Sequence, residues 1–163
     1  MAGVASLSAA LGGAAGSALA GAREHALAGG CAGTALYRGA VPAWTAPAMQ
    51  GGGGRLSTPL PHALSRRRNV TALVFGYPLR AGNPGSGRQN KILWIMRLPR
   101  RHTPLYLSAR PLHANHPVVR QTWPADSSPG QIYPSIVDVP RAGCWRITLH
   151  WAGHTDAIAL RYS

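Results

Sequence analysis

Two cysteines, four spaced histidines and two clusters of arginine are the side chains in this sequence with chemistry to offer. Cys144 stands in Gly143-Cys144-Trp145, at the head of an alternating apolar run, and its one possible partner within the chain is Cys31. An oxidising compartment would join the two as a disulfide. As a nucleophile Cys144 would need a histidine base, and no Gly-x-Ser-x-Gly elbow offers a serine in its place. A bridged or buried Cys144 is therefore the better reading, and no catalytic residue is assigned. Cys31 keeps three roles open: disulfide partner, lipid-anchor cysteine or free thiol. A lipid anchor wants a large aliphatic residue three positions earlier, where this chain has Ala28, with Leu27 one place too far.

His113-Ala-Asn-His116 and the pair His150 and His154 could present imidazoles to zinc or copper from two turns. No carboxylate stands ready to orient them, and nothing in the sequence brings residue 113 near 150. Surface histidines without a metal are expected, and no cofactor is called for. The run Gly82-Asn-Pro-Gly85-Ser-Gly87-Arg88 invites a phosphate-loop reading. Such a loop needs Gly-Lys-Ser/Thr opening into a helix, and here Arg88-Gln89 leads into a strand-like stretch. An inter-strand loop fits better. The densest basic clusters are Arg66-Arg67-Arg68 and Arg97, Arg100 and Arg101 beside His102. They read as solvated turns, or together as a patch for an anionic partner.

Charge narrows the field of functions. Seventeen Lys and Arg face four acids, for a net charge of +13, and every cation but Lys91 is arginine. Outside the first thirty residues only Asp126, Asp138 and Asp156 are acidic. That excludes a paired-carboxylate glycosidase and an acidic cage for calcium or magnesium. The field favours polyanions: nucleic acid, anionic lipid or acidic wall polymer. The accompanying wealth of Ala, Gly and Pro is also what a GC-rich genome would give, which weakens the case for a nucleic-acid site.

The elements that must position these residues are strands. Trp145, Ile147, Leu149 and Trp151 alternate with Arg146, Thr148 and His150. Ala152-Gly153-His154 then turns the chain into Ile158, Leu160 and Tyr162, a hairpin signature. Residues 70–77 and 91–97 are apolar on both faces and predict central strands. Further strands are expected at 105–110, 117–123 and 132–138, with a short one at 61–65. Pro and Gly punctuate the gaps. The pattern predicts an all-β fold, an immunoglobulin-like antiparallel β-sandwich of seven or eight short strands. Trp145 should fill its core, with Trp94, Trp123 and Trp151.

Residues 1–30 form a signal-like Ala/Gly-rich leader, with 1–22 uncharged and small-x-small cleavage patterns at Ala18-Leu19-Ala20 and Ala26-Leu27-Ala28. No Lys or Arg opens it, which departs from the usual secretory pattern. Residues 31–60 are a Pro/Gly-rich extended segment laid over the domain, and 61–163 is the β-sandwich.

Several stretches carry a resemblance: Val74-Phe-Gly-Tyr-Pro-Leu-Arg, Asn90-Lys-Ile-Leu-Trp94, Tyr133-Pro-Ser-Ile-Val-Asp138 and Gly143-Cys-Trp145. With Cys31 followed by Pro42-Ala43-Trp44, the chain over 31–163 resembles small exported or lipoprotein-like actinobacterial proteins of unknown function. The resemblance implies a signal or lipoprotein leader and a compact β domain, and brings no activity. The expectation is a secreted or extracytoplasmic envelope protein, a non-catalytic binding or structural module. Its partner would be an anionic cell-wall polymer or membrane surface, ahead of nucleic acid, with no small-molecule substrate identifiable. The rivals are a lipid-anchored version, a small secreted enzyme or His-based metal carrier, and a nucleic-acid binder.

Overall fold

The structure, a computed structural model, describes residues 25–49, 59–82 and 89–163. Among these the chain forms ten strands and one short helix. The strands are β1 (His25–Leu27), β2 (Leu36–Arg38), β3 (Pro61–Leu64), β4 (Val70–Val74), β5 (Lys91–Met96), β6 (Leu105–Pro111), β7 (Val119–Trp123), β8 (Ile132–Ile136), β9 (Gly143–Trp151) and β10 (His154–Tyr162). The helix α1 covers Thr45–Ala48. One sheet has the order β1-β2-β3-β4-β5-β8 and the other β10-β9-β6-β7, with every pairing antiparallel.

This is a β-sandwich, with two more strands than the seven or eight expected. Its connectivity also differs from the immunoglobulin order, which sends the third strand of the fold to the opposite sheet. Here β1 to β5 all stay in one sheet. The two additional strands have three residues each, too short to show an alternation, and β2 becomes a strand by pairing with β1 and β3.

Alternation places the core. On β9, Trp145, Ile147, Leu149 and Trp151 point between the sheets and are buried, as are Ile158, Leu160 and Tyr162 of β10. Trp94, Met96 and Tyr133 meet them from the other sheet. The β9–β10 turn has two residues, Ala152 and Gly153, at φ 45 and 79. Positive φ at both positions gives the twist that suits right-handed strands. Strand β4 ends at Val74 because the amides of Phe75 and Gly76 both donate to Lys91 O, a bulge. Gly76 cannot carry a side chain there, since a Cβ would stand 2.3 Å from Gln89 O.

The two-sided apolarity of β4 and β5 has a specific cause. Their inner side chains enter the sandwich, while Leu73 and Ile95 on the outer face pack with Ile132 beneath Val41, Trp44 and Met49. The segment around α1 thus covers the outside of the six-stranded sheet, tied down where Gln131 N–H donates to Ala48 O at 2.8 Å. The four-stranded sheet carries no such cover among the described residues.

The N-terminal segment joins both layers. While β1 and β2 extend the larger sheet, residues between them pair with the free edge of β10. Arg161 N–H donates to Gly29 O at 2.8 Å, and Cys31 N–H to Ala159 O at 3.3 Å. The Thr34 hydroxyl accepts from Ala159 N–H at 3.0 Å. An edge strand that would otherwise expose its ladder groups is thereby capped.

Candidate functional site

Cys31 and Cys144 form a disulfide with Cα atoms 6.0 Å apart, across a sequence separation of 113. Strand alternation turns Cys144 to the outer face of β9, and the segment capping β10 carries Cys31 over that strand to reach it. The sulfur a lipid anchor would use is thus already bonded, and no free thiol remains at either position.

The histidines do not converge. His113 and His116 are exposed in the β6–β7 loop, where Arg141 donates to the His116 carbonyl. At the hairpin end, His150 Nδ1 shares a hydrogen with the Thr155 hydroxyl at 2.7 Å, and the His154 ring lies 5.5 Å from that of Trp151. No cluster of three or more metal-ligating side chains occurs among the described residues. Residues 83–88 of the glycine-rich loop lie outside the described residues, as do Ala18-Leu19-Ala20 and Gly51–Gly54.

Arg66, Arg67 and Arg68 occupy the exposed β3–β4 turn. Its position is fixed by Asp156, a buried carboxylate of β10. Asp156 accepts hydrogen bonds from Ser65 Oγ at 2.6 Å, Arg67 N–H at 3.0 Å, Asn69 N–H at 3.3 Å and its neighbour Ala157 N–H at 2.8 Å. Arg66 N–H donates to Ala157 O at 2.8 Å. The turn of one sheet is therefore docked on the edge strand of the other by charge-assisted bonds. Arg68 holds φ 58, a conformation in which glycine is unstrained and arginine is not.

Arg100 must be removed from the expected patch. It is 4% exposed, and its guanidinium donates to the carbonyls of Ser128, Gly130, Ile132 and Ala125 while lying 3.9 Å over the Tyr133 ring. It organises the 125–132 loop from inside, because a planar fork of donors matches carbonyls converging from one turn. Arg97 and Arg101 stay exposed.

Four arginines absent from the expected patch lie on the uncovered face of the four-stranded sheet: Arg110 on β6, Arg120 on β7, Arg146 on β9 and Arg161 on β10. All are exposed. Arg146 also lines an open groove of about 870 Å³, running from the 32–35 loop past Ala157 and Ala159 to Arg66 and Arg68. The signal was present in the sequence, since Arg110, Arg146 and Arg161 all fall on the polar phase of alternating strands. It lay in spacing along three separate strands, not in a cluster. At the far side of β10, burial and then the nearby charge of Asp138 push the Tyr162 phenol well above its ordinary range. Its hydroxyl has no hydrogen-bond partner among the described residues.

No protein-family model and no curated protein matches this chain. Among solved structures it is similar to a candidate lipoprotein from Bacillus anthracis, at 12% identity and a TM-score of 0.43, over 76% of this chain and 97% of that one.

Proposed function

We propose that this protein is an exported, non-catalytic β-sandwich of the cell envelope that engages an anionic partner through its arginine-rich surface. The observation that carries the reading is the Cys31–Cys144 disulfide, which clamps the N-terminal segment to the C-terminal hairpin. Such bonds form and persist outside the reducing cytosol. The charge of +13, with one acid in the described part buried as a hinge between sheets, supplies the anion preference.

The two small-x-small patterns make different demands. Cleavage after Ala20 would leave β1 in place, whereas cleavage after Ala28 would remove all of His25–Leu27. A mature chain that keeps the six-stranded sheet therefore begins upstream of His25.

Intact mass and thiol alkylation of the chain recovered from its native host test this directly. The expected result is a processed chain in the extracytoplasmic fraction, with neither cysteine alkylated before reduction. A diacylglycerol adduct on Cys31 would hand the reading to the lipid-anchored rival. A full-length chain with both thiols reduced, found in the cytosol, would end it.

A further inference from the structure

The outer faces of the two sheets are treated differently by this fold. One is covered by residues 41–49; the other, among the described residues, is crossed only at its β10 edge by the Cys31 segment and carries one arginine on each of its four strands. The strand register fixes how those arginines are arranged. Arg161 is opposite Cys144, two residues before Arg146 on β9. Arg146 is directly opposite Arg110 on β6, and Arg120 on β7 is opposite Ser108, two residues before Arg110. With strands about 4.8 Å apart and about 3.4 Å per residue, the four Cα positions step corner to corner across the sheet over roughly 20 Å.

Two features of this line oppose stability. Like charges directly opposite on neighbouring strands repel, and Arg110 and Arg146 form such a pair. No outward-facing position on the four strands is acidic, so their own strand neighbours do not neutralise them. The third strained cation is Arg68, at its positive φ beside the same groove. The outward residues of β10 that separate Arg68 from Arg146 are Ala157 and Ala159, which leave a low floor between the two cationic walls.

We propose that this diagonal and its groove bind a linear anionic polysaccharide, with Arg110 and Arg146 gripping successive phosphate or carboxylate groups. The proposal deepens the reading of an exported module with an anionic partner and rests on it. Paired guanidinium forks match oxyanions bidentately, and an approaching anion relieves the Arg110–Arg146 repulsion as it binds. In the row beside the Arg110–Arg146 pair lie Ser108 and Thr148, opposite one another, with Thr122 and Thr155 in the row after. These hydroxyls suit the hydroxyls of a sugar or polyol chain. Tyr106 is 54% exposed in that row and offers a ring to a pyranose face.

Other polyanions fit less well. Single-stranded nucleic acid is held by a succession of stacking aromatics, and this face has Tyr106 with just the His150 imidazole opposite it. A membrane surface is entered by large apolar side chains, and the outward positions of these four strands hold none beyond that tyrosine.

The test uses titration calorimetry of the folded chain against four probes. They are an oligogalacturonate, a phosphodiester-linked hexose oligosaccharide, single-stranded DNA, and vesicles rich in phosphatidylglycerol. The first two distinguish carboxylate from phosphate as the preferred group. Wild type should bind one of them, and the double variant R110Q/R146Q should lose about 30-fold or more in affinity, the scale of two charge-assisted contacts. It should remain folded, because the change relieves a repulsion. The charge-matched control K91Q/R38Q, altered on β5 and β2 of the opposite sheet, should bind within about twofold of wild type, as a long-range field effect alone would be weak in salt. Equal losses in both variants, or undiminished binding by R110Q/R146Q, would overturn the site while leaving an anionic partner standing. Preference for DNA or vesicles would overturn the polysaccharide. Binding to none of the four would remove the anionic-partner reading itself.

Discussion

Replacing both cysteines with serine removes the one covalent link between the N-terminal segment and the C-terminal hairpin. The separation of 113 residues sets the size of the effect. In the chain-entropy treatment a loop of that length restricts the unfolded state by about 16 cal/mol/K, or about 4.8 kcal/mol at room temperature. For a chain of this size that corresponds to a fall in Tm of roughly 15 °C. The native fold should be little changed, because backbone bonds from Arg161 to Gly29 and from Cys31 to Ala159 hold the segment on β10 independently of sulfur. Urea unfolding followed by tryptophan fluorescence reads both aspects, with wild type and C31S/C144S compared under oxidising conditions. The midpoint should drop, and the slope m should rise, because the unlinked unfolded chain exposes more surface. Amide exchange at Arg161 should remain protected in the variant under native conditions. A stability change below about 1 kcal/mol with m unaltered would refute the reasoning, since a closed loop of this length cannot leave the unfolded ensemble untouched.

The Asp156→Asn variant keeps the shape of the buried acceptor but removes its charge and turns an amide toward donors from Ser65, Arg67, Asn69 and Ala157. A loss of about 2–4 kcal/mol in urea unfolding is expected, and a loss under about 0.5 kcal/mol would show that the docked turn does not depend on it. Tyr162→Phe should be neutral or stabilising near neutral pH, because it deletes a buried hydroxyl with no hydrogen-bond partner among the described residues. The same variant has an alkaline signature. Burial raises the folded phenol above its ordinary value of 10.0, so the wild type begins to lose stability as pH climbs past that value, when only the unfolded tyrosine ionises. The contribution amounts to about 1.4 kcal/mol per pH unit, and Tyr162→Phe should be less steep by that amount. Parallel stability profiles for the two proteins between about pH 10 and 12 would contradict the burial argument.

Much of this fold is written locally. The alternation of Trp145, Ile147, Leu149 and Trp151 with Arg146, Thr148 and His150 assigns each residue to the core or to the surface, and the burial of β9 follows it. The same holds for β10 except at Ala159, which is buried on the outer face. Two cysteines leave one intramolecular pairing to form, and it forms. These features need only the period of a strand and the chemistry of a thiol, both of which are properties of neighbouring residues.

The expected basic patch shows where local reading stops. Arg100 follows Pro99 and precedes Arg101, a run that reads as a solvated turn. It is buried because carbonyls from residues 125–132 converge on it, and no property of residues 97–102 announces them. In the other direction, Arg110, Arg120, Arg146 and Arg161 are isolated cations in the sequence and adjacent ones in the sheet.

The chain's composition, alternation and cysteine count determine that it folds as a disulfide-clamped β-sandwich with a net charge of +13. They do so because burial and charge are settled residue by residue. Which sheet face stays bare, which arginines stand side by side and which one turns inward depend on strand order and register. Those follow from pairing between segments far apart along the chain, as where β6, β7, β9 and β10 assemble one arginine each into a single line.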